Sequence, residues 1–310
     1  MQLKDRIQNA LDESRMLVLG AEILIGFQFT ATFQSGFKQL AFASKEANLG
    51  ALTLTLITLA FLLSPAPFHQ ITVKGNDSPS VVGFTMGVMK IALFPFALAL
   101  GASLFIPARE IVGSVAGIIT AITATGAAFL FWYGPALLPE ANHPKGRKDI
   151  AAMTSGKEDK SSPTALHDRI RQILTEARVI LPGNQALLGF QLAVILQQSF
   201  RDLQPALRWV HLASLLLMAL STILLLTPAP YHRIVEHGEE TEGFYRVASF
   251  LVLSSLPPLA MGICGDFFVV VFSMTHSWLP AVIGAAFMVL VFSTMWLAYP
   301  WFRRTHHPAY

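Results

Sequence analysis

The chain has 310 residues, of which 53% are hydrophobic and 13% are charged, whereas soluble proteins average about 25% charged residues. Its formal net charge is +3 and its mean hydropathy is +0.53, values that exclude an ordinary soluble enzyme and a disordered chain. A single cysteine, Cys264, excludes an internal disulfide framework and a zinc cluster built on cysteines. The composition predicts an integral membrane protein.

Eight stretches of the chain are free, or nearly free, of Asp, Glu, Lys and Arg. A transmembrane helix needs about 20 apolar residues, whereas strands of a membrane β-barrel would show shorter segments of alternating polarity. We therefore predict an all-α integral membrane protein with eight transmembrane helices. In chain order the stretches are 16–37, which includes Glu22, 47–73, 91–108, 111–139, 179–200, 209–232, 247–265 and 267–302.

The eight predicted helices fall into two copies of one four-helix unit. Residues 3–71 align with 166–234 at an offset of 163 without a gap, and the later halves match more loosely, with Pro95 against Pro257. Because four is an even number of crossings, we expect two parallel repeats related by a pseudo-twofold axis along the membrane normal. The predicted domains are a first four-helix repeat at 1–139, a cytoplasmic linker at 140–163 and a second four-helix repeat at 164–310.

The first helix of each repeat follows a segment with an amphipathic pattern. Each segment is interpreted either as a separate juxtamembrane helix lying at the membrane interface or as a cytoplasmic extension of the first transmembrane helix. Glu13 and Arg15, like Glu176 and Arg178, are two residues apart and cannot pair within one helix. We expect them to form ion pairs with another helix or with the other repeat.

Polar side chains inside the apolar stretches are candidates for a transport path, because such residues are costly in a membrane. Gln28 and Gln191 occupy equivalent positions in the first helix of each repeat, and Glu22 has the uncharged counterpart Gln185. The alternative is interhelical hydrogen bonding that only stabilises packing. The candidate path or packing residues are Glu22, Gln28, Gln34, Gln191, Gln197 and Asp266.

A Pro-Ala-Pro-aromatic-His motif closes the second helix of each repeat. Prolines interrupt a helix, and the histidine that follows is expected to meet the free carbonyls at the helix end. The alternative is a pH-responsive group at the cytoplasmic mouth of a site, since imidazole titrates near neutral pH. A metal site shared by the two histidines lacks a further ligand at useful spacing. The residues concerned are His69, His232 and Arg233.

Asp266 is the one acidic residue within 243–310. We predict that it lies near the outer end of the seventh helix. Three interpretations remain open, namely a water-exposed residue at a helix end, a partner of Arg109 on the equivalent outer connection of the first repeat, and an unpaired buried carboxylate of the kind that forms proton sites in transporters.

Several of these motifs resemble DUF6328, a family of small four-helix bacterial membrane proteins of unknown function. The resemblance includes the Glu-x-Arg pairs, the Gly-Phe-Gln of each first helix, the Pro-Ala-Pro-Tyr-His-Arg that ends at Arg233, and the closing arginines Arg303 and Arg304. It implies the same all-α architecture, here as a tandem duplication.

The sequence favours a transport protein or channel for a small ion or solute, with a path at the interface of the repeats. The alternative is a non-catalytic accessory or scaffold subunit of a larger membrane complex. No P-loop, dinucleotide fingerprint or soluble catalytic domain is present, so we expect no enzymatic activity, no cofactor and no nucleic-acid partner. The expected partners are the lipid bilayer, other membrane subunits or a second copy of the chain.

Lysine and arginine are distributed unevenly between the two predicted sides of the membrane. Of the 22 basic residues, 17 lie on the side that holds the termini and the linker. Cytoplasmic loops are enriched in Lys and Arg. We therefore predict a bacterial inner-membrane protein with both termini in the cytoplasm.

Overall fold

The computed structural model describes residues 3–76, 78–134, 165–237 and 239–306, with the backbone alone for 3–12. The predicted linker, 140–163, lies outside the described residues. The described chain is helical. Its first half comprises α1 (Leu3–Thr32), a 3₁₀ turn (Ser35–Gln39), α2 (Phe42–Leu63), α3 (Pro65–Thr72), α4 (Pro79–Val112) and α5 (Ser114–Tyr133). Its second half comprises α6 (Leu166–Val194), α7 (Gln198–Arg201), α8 (Pro205–Leu226), α9 (Pro228–Ile234), α10 (Glu242–Thr275), α11 (Trp278–Ser293), a π-helical turn (Thr294–Ala298) and α12 (Tyr299–His306).

Seven helical units within the described residues are long and apolar enough to cross a membrane, as expected of a membrane protein. The prediction of eight such helices is therefore supported in part. The long helix that does not meet this criterion of length and hydropathy is α6, which has 29 residues. Its first half carries several charged residues, and Asn184, Gln185 and Gln191 lower the hydropathy of its second half.

The element order of the first half recurs in the second at an offset of 163 residues. Adding 163 to the bounds of α2 and α4 gives the bounds of α8 and α10. The helix caps correspond as well, because Ser78 and Thr241 each accept a hydrogen bond from a backbone N–H in the first turn of α4 and α10. This register places Pro95 opposite Pro258, one residue beyond the Pro257 that sequence matching selected.

The amphipathic segments are not separate helices. In both repeats the segment continues without a break into the first long helix, as α1 and α6. Gly20 and Gly183 do not form turns, and Pro182 lies inside α6. Prolines are tolerated within long membrane helices where neighbouring groups satisfy the freed backbone carbonyl. The interpretation as one extended helix is therefore the correct one.

The Pro-Ala-Pro motif does not leave a free helix end. Pro65 and Pro228 each occupy the first turn of a new short helix, α3 and α9. Proline fits this position because the first N–H groups of a helix have no intrahelical partner. The motif therefore ends one helix and starts the next, and the following histidine lies in the last turn of the short helix.

The two halves share one hydrophobic core. The long helices α1 and α6 pack against each other, and the rings of Phe27 and Phe190, which occupy equivalent positions, lie 5.2 Å apart. The Trp296 indole N–H donates to the Ala60 carbonyl oxygen at 2.9 Å. The two repeats therefore contact each other through their first helices and also through the π-helical turn of the second repeat and α2 of the first.

Candidate functional site

A buried polar triad lies in the second repeat and is formed by Gln191 of α6, His211 of α8 and Asp266 of α10. The Asp266 carboxylate accepts a hydrogen bond from Gln191 Nε2 through one oxygen and contacts His211 Nδ1 at 3.0 Å through the other. His211 Nε2 lies 3.2 Å from the Gln191 carbonyl oxygen. Both partners of the imidazole present acceptor oxygens, so Asp266 and Gln191 hold the ring from its two nitrogen atoms.

This geometry excludes two of the interpretations of Asp266 and corrects the third, because the carboxylate is buried but paired. Its side chain is buried, with 7% of its surface exposed, so it is not a water-exposed helix end. The Arg109 guanidinium lies over the Phe105 ring, 5.7 Å from its centroid, and is not the partner of Asp266. The physical reason is the length of α10, which continues for two more turns after Asp266 and places the carboxylate inside the bundle.

The first repeat holds an uncharged triad at the equivalent positions. Gln28 Nε2 donates to Ser103 Oγ at 3.0 Å, and Asn48 Nδ2 donates to the Gln28 carbonyl oxygen at 3.3 Å. Adding 163 to these three positions gives those of the second triad. The same hydrogen-bonded frame therefore occurs twice, with neutral side chains in one repeat and titratable ones in the other.

A cavity of about 30 Å³ lies between the repeats and reaches Gln191 and Asp266. That volume holds about two water molecules. Its other walls are apolar and come from both repeats, including Ile25 and Gly26 of α1 and Leu187 of α6. Of the two glutamines predicted to line a path, Gln191 therefore borders this cavity, whereas Gln28 is not among its lining residues.

Glu22 is fully buried where α1 meets α6. Neither carboxylate oxygen has a hydrogen-bond partner among the described residues. Its side chain lies against Gly183, and a methyl group built on that glycine would come within 1.2 Å of Glu22 Oε2. A larger residue at position 183 would therefore require the carboxyl group or the helix to move. The structure therefore places Glu22 at the contact between the two repeats.

A second histidine–carboxylate pair also joins the repeats. Glu176, with 1% of its surface exposed, contacts His69 Nδ1 through one oxygen and accepts a hydrogen bond from Gln70 Nε2 at 2.9 Å through the other. His69 Nε2 lies 3.3 Å from the Asn76 carbonyl oxygen. His69 is therefore held by Glu176. The sequence had favoured a cap on the end of α2, and that prediction is wrong.

Aromatic and basic groups surround this pair. The Tyr245 hydroxyl donates to the Lys74 carbonyl oxygen at 3.1 Å and lies 3.4 Å from Gln70 Oε1. The Arg169 guanidinium lies 3.9 Å from the centre of the Tyr245 ring, within the range of a cation–π contact. The same arginine forms an ion pair of 3.1 Å with Glu242. Residues of both repeats thus connect the pair to the solvent-exposed end of the bundle.

The equivalent pair, between Glu13 of the first repeat and His232 of the second, does not form. Glu13, the counterpart of Glu176, is exposed. His232, the counterpart of His69, packs on the Phe244 ring at 4.6 Å between centroids, and its Nε2 has no hydrogen-bond partner among the described residues. Arg233 is exposed. The two motif histidines are therefore not equivalent.

The remaining polar residues singled out by the sequence lie outside these buried contacts. Of the four residues predicted to pair between helices, Glu176 does so through a buried contact, whereas Arg15 and Arg178 are exposed. Gln34 and Gln197 are the residues before the 3₁₀ turn and before α7. Both have extended backbones, and they mark the ends of α1 and α6 rather than a path between them.

Reasoning from the sequence missed His211, Asn48 and Ser103. The search for polar residues counted Asp, Glu, Lys and Arg, so a histidine within 209–232 did not interrupt the apolar stretch. Extending the offset of 163 beyond residue 71 would have placed Ser103 opposite Asp266. Histidine at 211 would then have stood out, because it is the counterpart of another polar residue, Asn48.

The buried groups of both clusters are hydrogen-bond donors and acceptors together with ionisable side chains, which suit the binding of small polar species. Among the described residues, no three His, Cys, Asp or Glu side chains lie close enough together to hold a metal ion.

Comparison with known proteins identifies a family and no activity. No curated protein and no solved structure matches the chain. A family model described as "Family of unknown function (DUF6328)" matches twice, over residues 2–136 and 160–300, as a tandem duplication requires. Since the two matches cover most of the sequence, the chain belongs to the DUF6328 family.

Proposed function

We propose that this protein is a membrane transport protein or channel for a small ion or solute, with its path at the interface of the two repeats. The observation that carries the proposal is the inter-repeat cavity bordered by Gln191 and Asp266, with His211 as the second partner of Asp266. Polar and ionisable groups within a membrane bundle mark ion and proton paths more often than packing sites.

The proposal includes eight membrane crossings in two parallel four-helix repeats. The crossing by α6 is supported by the burial of its polar side chains, since Asn184 and Gln191 are 0% and 2% exposed and do not face lipid. The parallel arrangement is supported by contacts at equivalent levels of α1 and α6, such as that between Phe27 and Phe190. Related repeats of this kind place substrate sites at their interface.

The proposed location is a bacterial inner membrane with both termini in the cytoplasm. Its support is the distribution of the basic residues, 17 of 22 of which lie on the side of the termini and linker. Reporter fusions within 145–160 test the orientation, and a fusion that is active only outside the cytoplasm would reverse it.

Transport is tested with the purified full chain in proteoliposomes under a panel of ion, proton and solute gradients. We expect flux in the wild type and its loss in Asp266→Asn, which keeps the shape of the side chain and removes the ionisable group. Ser103→Ala, at the equivalent position of the first repeat, is the matched control and should keep most of the flux. Absence of flux across the whole panel, with folded wild-type protein, would refute the proposal.

A second candidate is an accessory or scaffold subunit, and the exposure of α5 favours it. Of the 20 residues of this helix only Gly117 is buried, and its principal neighbour is α4. Such a helix suits contact with lipid, another subunit or a second copy of the chain. Purification from native membranes in mild detergent distinguishes these, because a protein that elutes alone as a monomer is not a subunit of a stable complex.

A further inference from the structure

Glu22 lies between two cavities at the contact of the repeats. Along α1, Ser14 lines one cavity, Glu22 follows two turns later, and Ile25 and Gly26 line the other. Along α6 the order is the same, with Glu176 to Ile180 at the first cavity, Gly183 against Glu22, and Leu187 to Gln191 at the second. The contact between Glu22 and Gly183 therefore separates the two cavities on both helices.

Each cavity borders one of the two histidine–carboxylate pairs. The cavity at Glu176 measures about 10 Å³, which is room for about one water molecule. The cavity at Asp266 measures about 30 Å³. At 1.5 Å of rise per helical residue, Gly183 lies about 10 Å along α6 from Glu176 and about 12 Å from Gln191. Glu22 is thus near the midpoint between the two histidine–carboxylate pairs.

The surroundings of Glu22 favour a neutral carboxyl group. Both of its oxygens are buried without a hydrogen-bond partner among the described residues, and burial without a partner disfavours the charged form of a carboxyl group. The nearest ionisable pairs, Glu176 with His69 and Asp266 with His211, are each internally compensated when ionised.

None of the other charged groups on the helices packed against α1 forms an ion pair with Glu22 in the described part of the chain. On α1 and α6 themselves, the flanking residues Arg15 and Arg178 are exposed. The remaining groups lie near the ends of α2, α4 and α10 or on their exposed faces, and are Lys45, Glu46, Lys90, Arg109, Glu110, Glu242 and Arg246.

We propose that Glu22 is a proton-binding site that alternately exchanges with the cavity at Asp266 and the cavity at Glu176, so that the species carried by this protein, or coupled to its transport, is the proton. The inference rests on the proposed transport function. A proton arriving through one cavity binds a carboxylate oxygen of Glu22 and forms the neutral acid. Its departure into the other cavity, to water or to the ionised carboxylate there, regenerates the Glu22 carboxylate. Glycine at 183 leaves the space that the Glu22 carboxyl group occupies between the two cavities.

The site is tested without reference to transport by infrared spectroscopy of the reconstituted full chain. We expect the carbonyl stretch of a protonated carboxyl group, shifted in D₂O, in the wild type and its loss in Glu22→Gln. The matched control is Gln185→Glu, which adds a carboxyl group at the equivalent but exposed position and should leave the wild-type band in place. A wild-type spectrum without this band, or a band that persists in Glu22→Gln, overturns the proposal.

Proton flux is then measured in vesicles that contain a pH-sensitive dye. Because an amide cannot take up the proton, Glu22→Gln should lower proton flux by about a hundredfold, the low end of what removal of a proton-transfer group costs. Glu22→Asp retains the carboxyl group and should keep measurable flux, which separates loss of the proton site from loss of the fold. Wild-type flux in Glu22→Gln would overturn the proton site and leave transport by another route standing. A Glu22-dependent infrared band in a wild type that moves no ion, proton or solute would support the site and refute the transport function.

Discussion

Replacing Gly183 with alanine tests the placement of Glu22 between the repeats. The added methyl group would lie 1.2 Å from Glu22 Oε2, so a side chain or the helix must move. Overpacking of this kind costs about 1–3 kcal/mol. Alanine favours a helix over glycine by about 1 kcal/mol, which offsets part of that cost. We therefore expect Gly183→Ala to lower the free energy of unfolding by up to about 2 kcal/mol.

The control for helix propensity is Gly189→Ala. Gly189 lies in the same helix, and a methyl group there would meet no other atom within 4 Å. The substitution should therefore stabilise the protein by up to about 1 kcal/mol. Combining Gly183→Ala with Glu22→Ala removes the steric conflict, so alanine at 183 should then become neutral or stabilising. The coupling free energy expected from the cycle is about 1–3 kcal/mol.

The measurement is reversible unfolding in mixed micelles, with all four members of the cycle compared in the same detergent. A coupling free energy near zero, or equal effects of Gly183→Ala and Gly189→Ala, would show that Glu22 does not occupy the space in front of Gly183. The inference about a proton site at this contact would then lose its structural basis.

Three further outcomes are expected. His69→Ala leaves Glu176 buried without its imidazole and should cost about 3–5 kcal/mol in the same unfolding assay, so a loss below about 1 kcal/mol would contradict the pairing. The Lys38 ammonium, 2.9 Å from Asp202 Oδ2, lowers the pKa of that exposed carboxyl through a hydrogen bond and its charge. The pair therefore adds stability above the ordinary aspartate pKa of about 3.9 that is lost as the pH falls through the lowered value, and the melting temperatures of wild type and Asp202→Asn should converge in acid rather than stay apart. Trp296→Phe removes one hydrogen bond to α2 and should lower the free energy of unfolding by about 1 kcal/mol, whereas an unchanged value would argue against that contact.

The repeat could be predicted from the sequence where its two copies share many identical residues, but its full extent could not. In the first two helices of each repeat, matched residues such as Gly26 and Gly189 fix the offset. In α4 and α10 few identities remain, because side chains that face lipid are interchangeable as long as they stay apolar. Sequence matching therefore selected Pro257, whereas the common helix bounds place Pro258 opposite Pro95.

The members of the candidate site were only partly predictable, because the sequence does not report which helices meet. Asp266 and Gln191 were identified as polar residues in apolar surroundings, yet their contact depends on α6 packing beside α10. Likewise, Glu176 and His69 were both singled out, but their pairing requires α6 of the second repeat to meet α3 of the first. The sequence distinguished Glu22, a candidate path or packing residue, from Glu13, a candidate ion-pair residue, and the burial of the first and the exposure of the second agree with that distinction.

The position shared by Glu22 and Gln185 shows what covalent linkage of the two units makes possible. An assembly of two identical four-helix subunits would carry every residue twice, so an acid at this position could not be present in one subunit and absent from the other. Within a single chain each copy mutates independently. The acid is buried in one copy, and its counterpart is an exposed amide in the other. Two linked but different copies thus allow a single buried acid at the contact between the repeats, which a symmetric dimer of identical units cannot have.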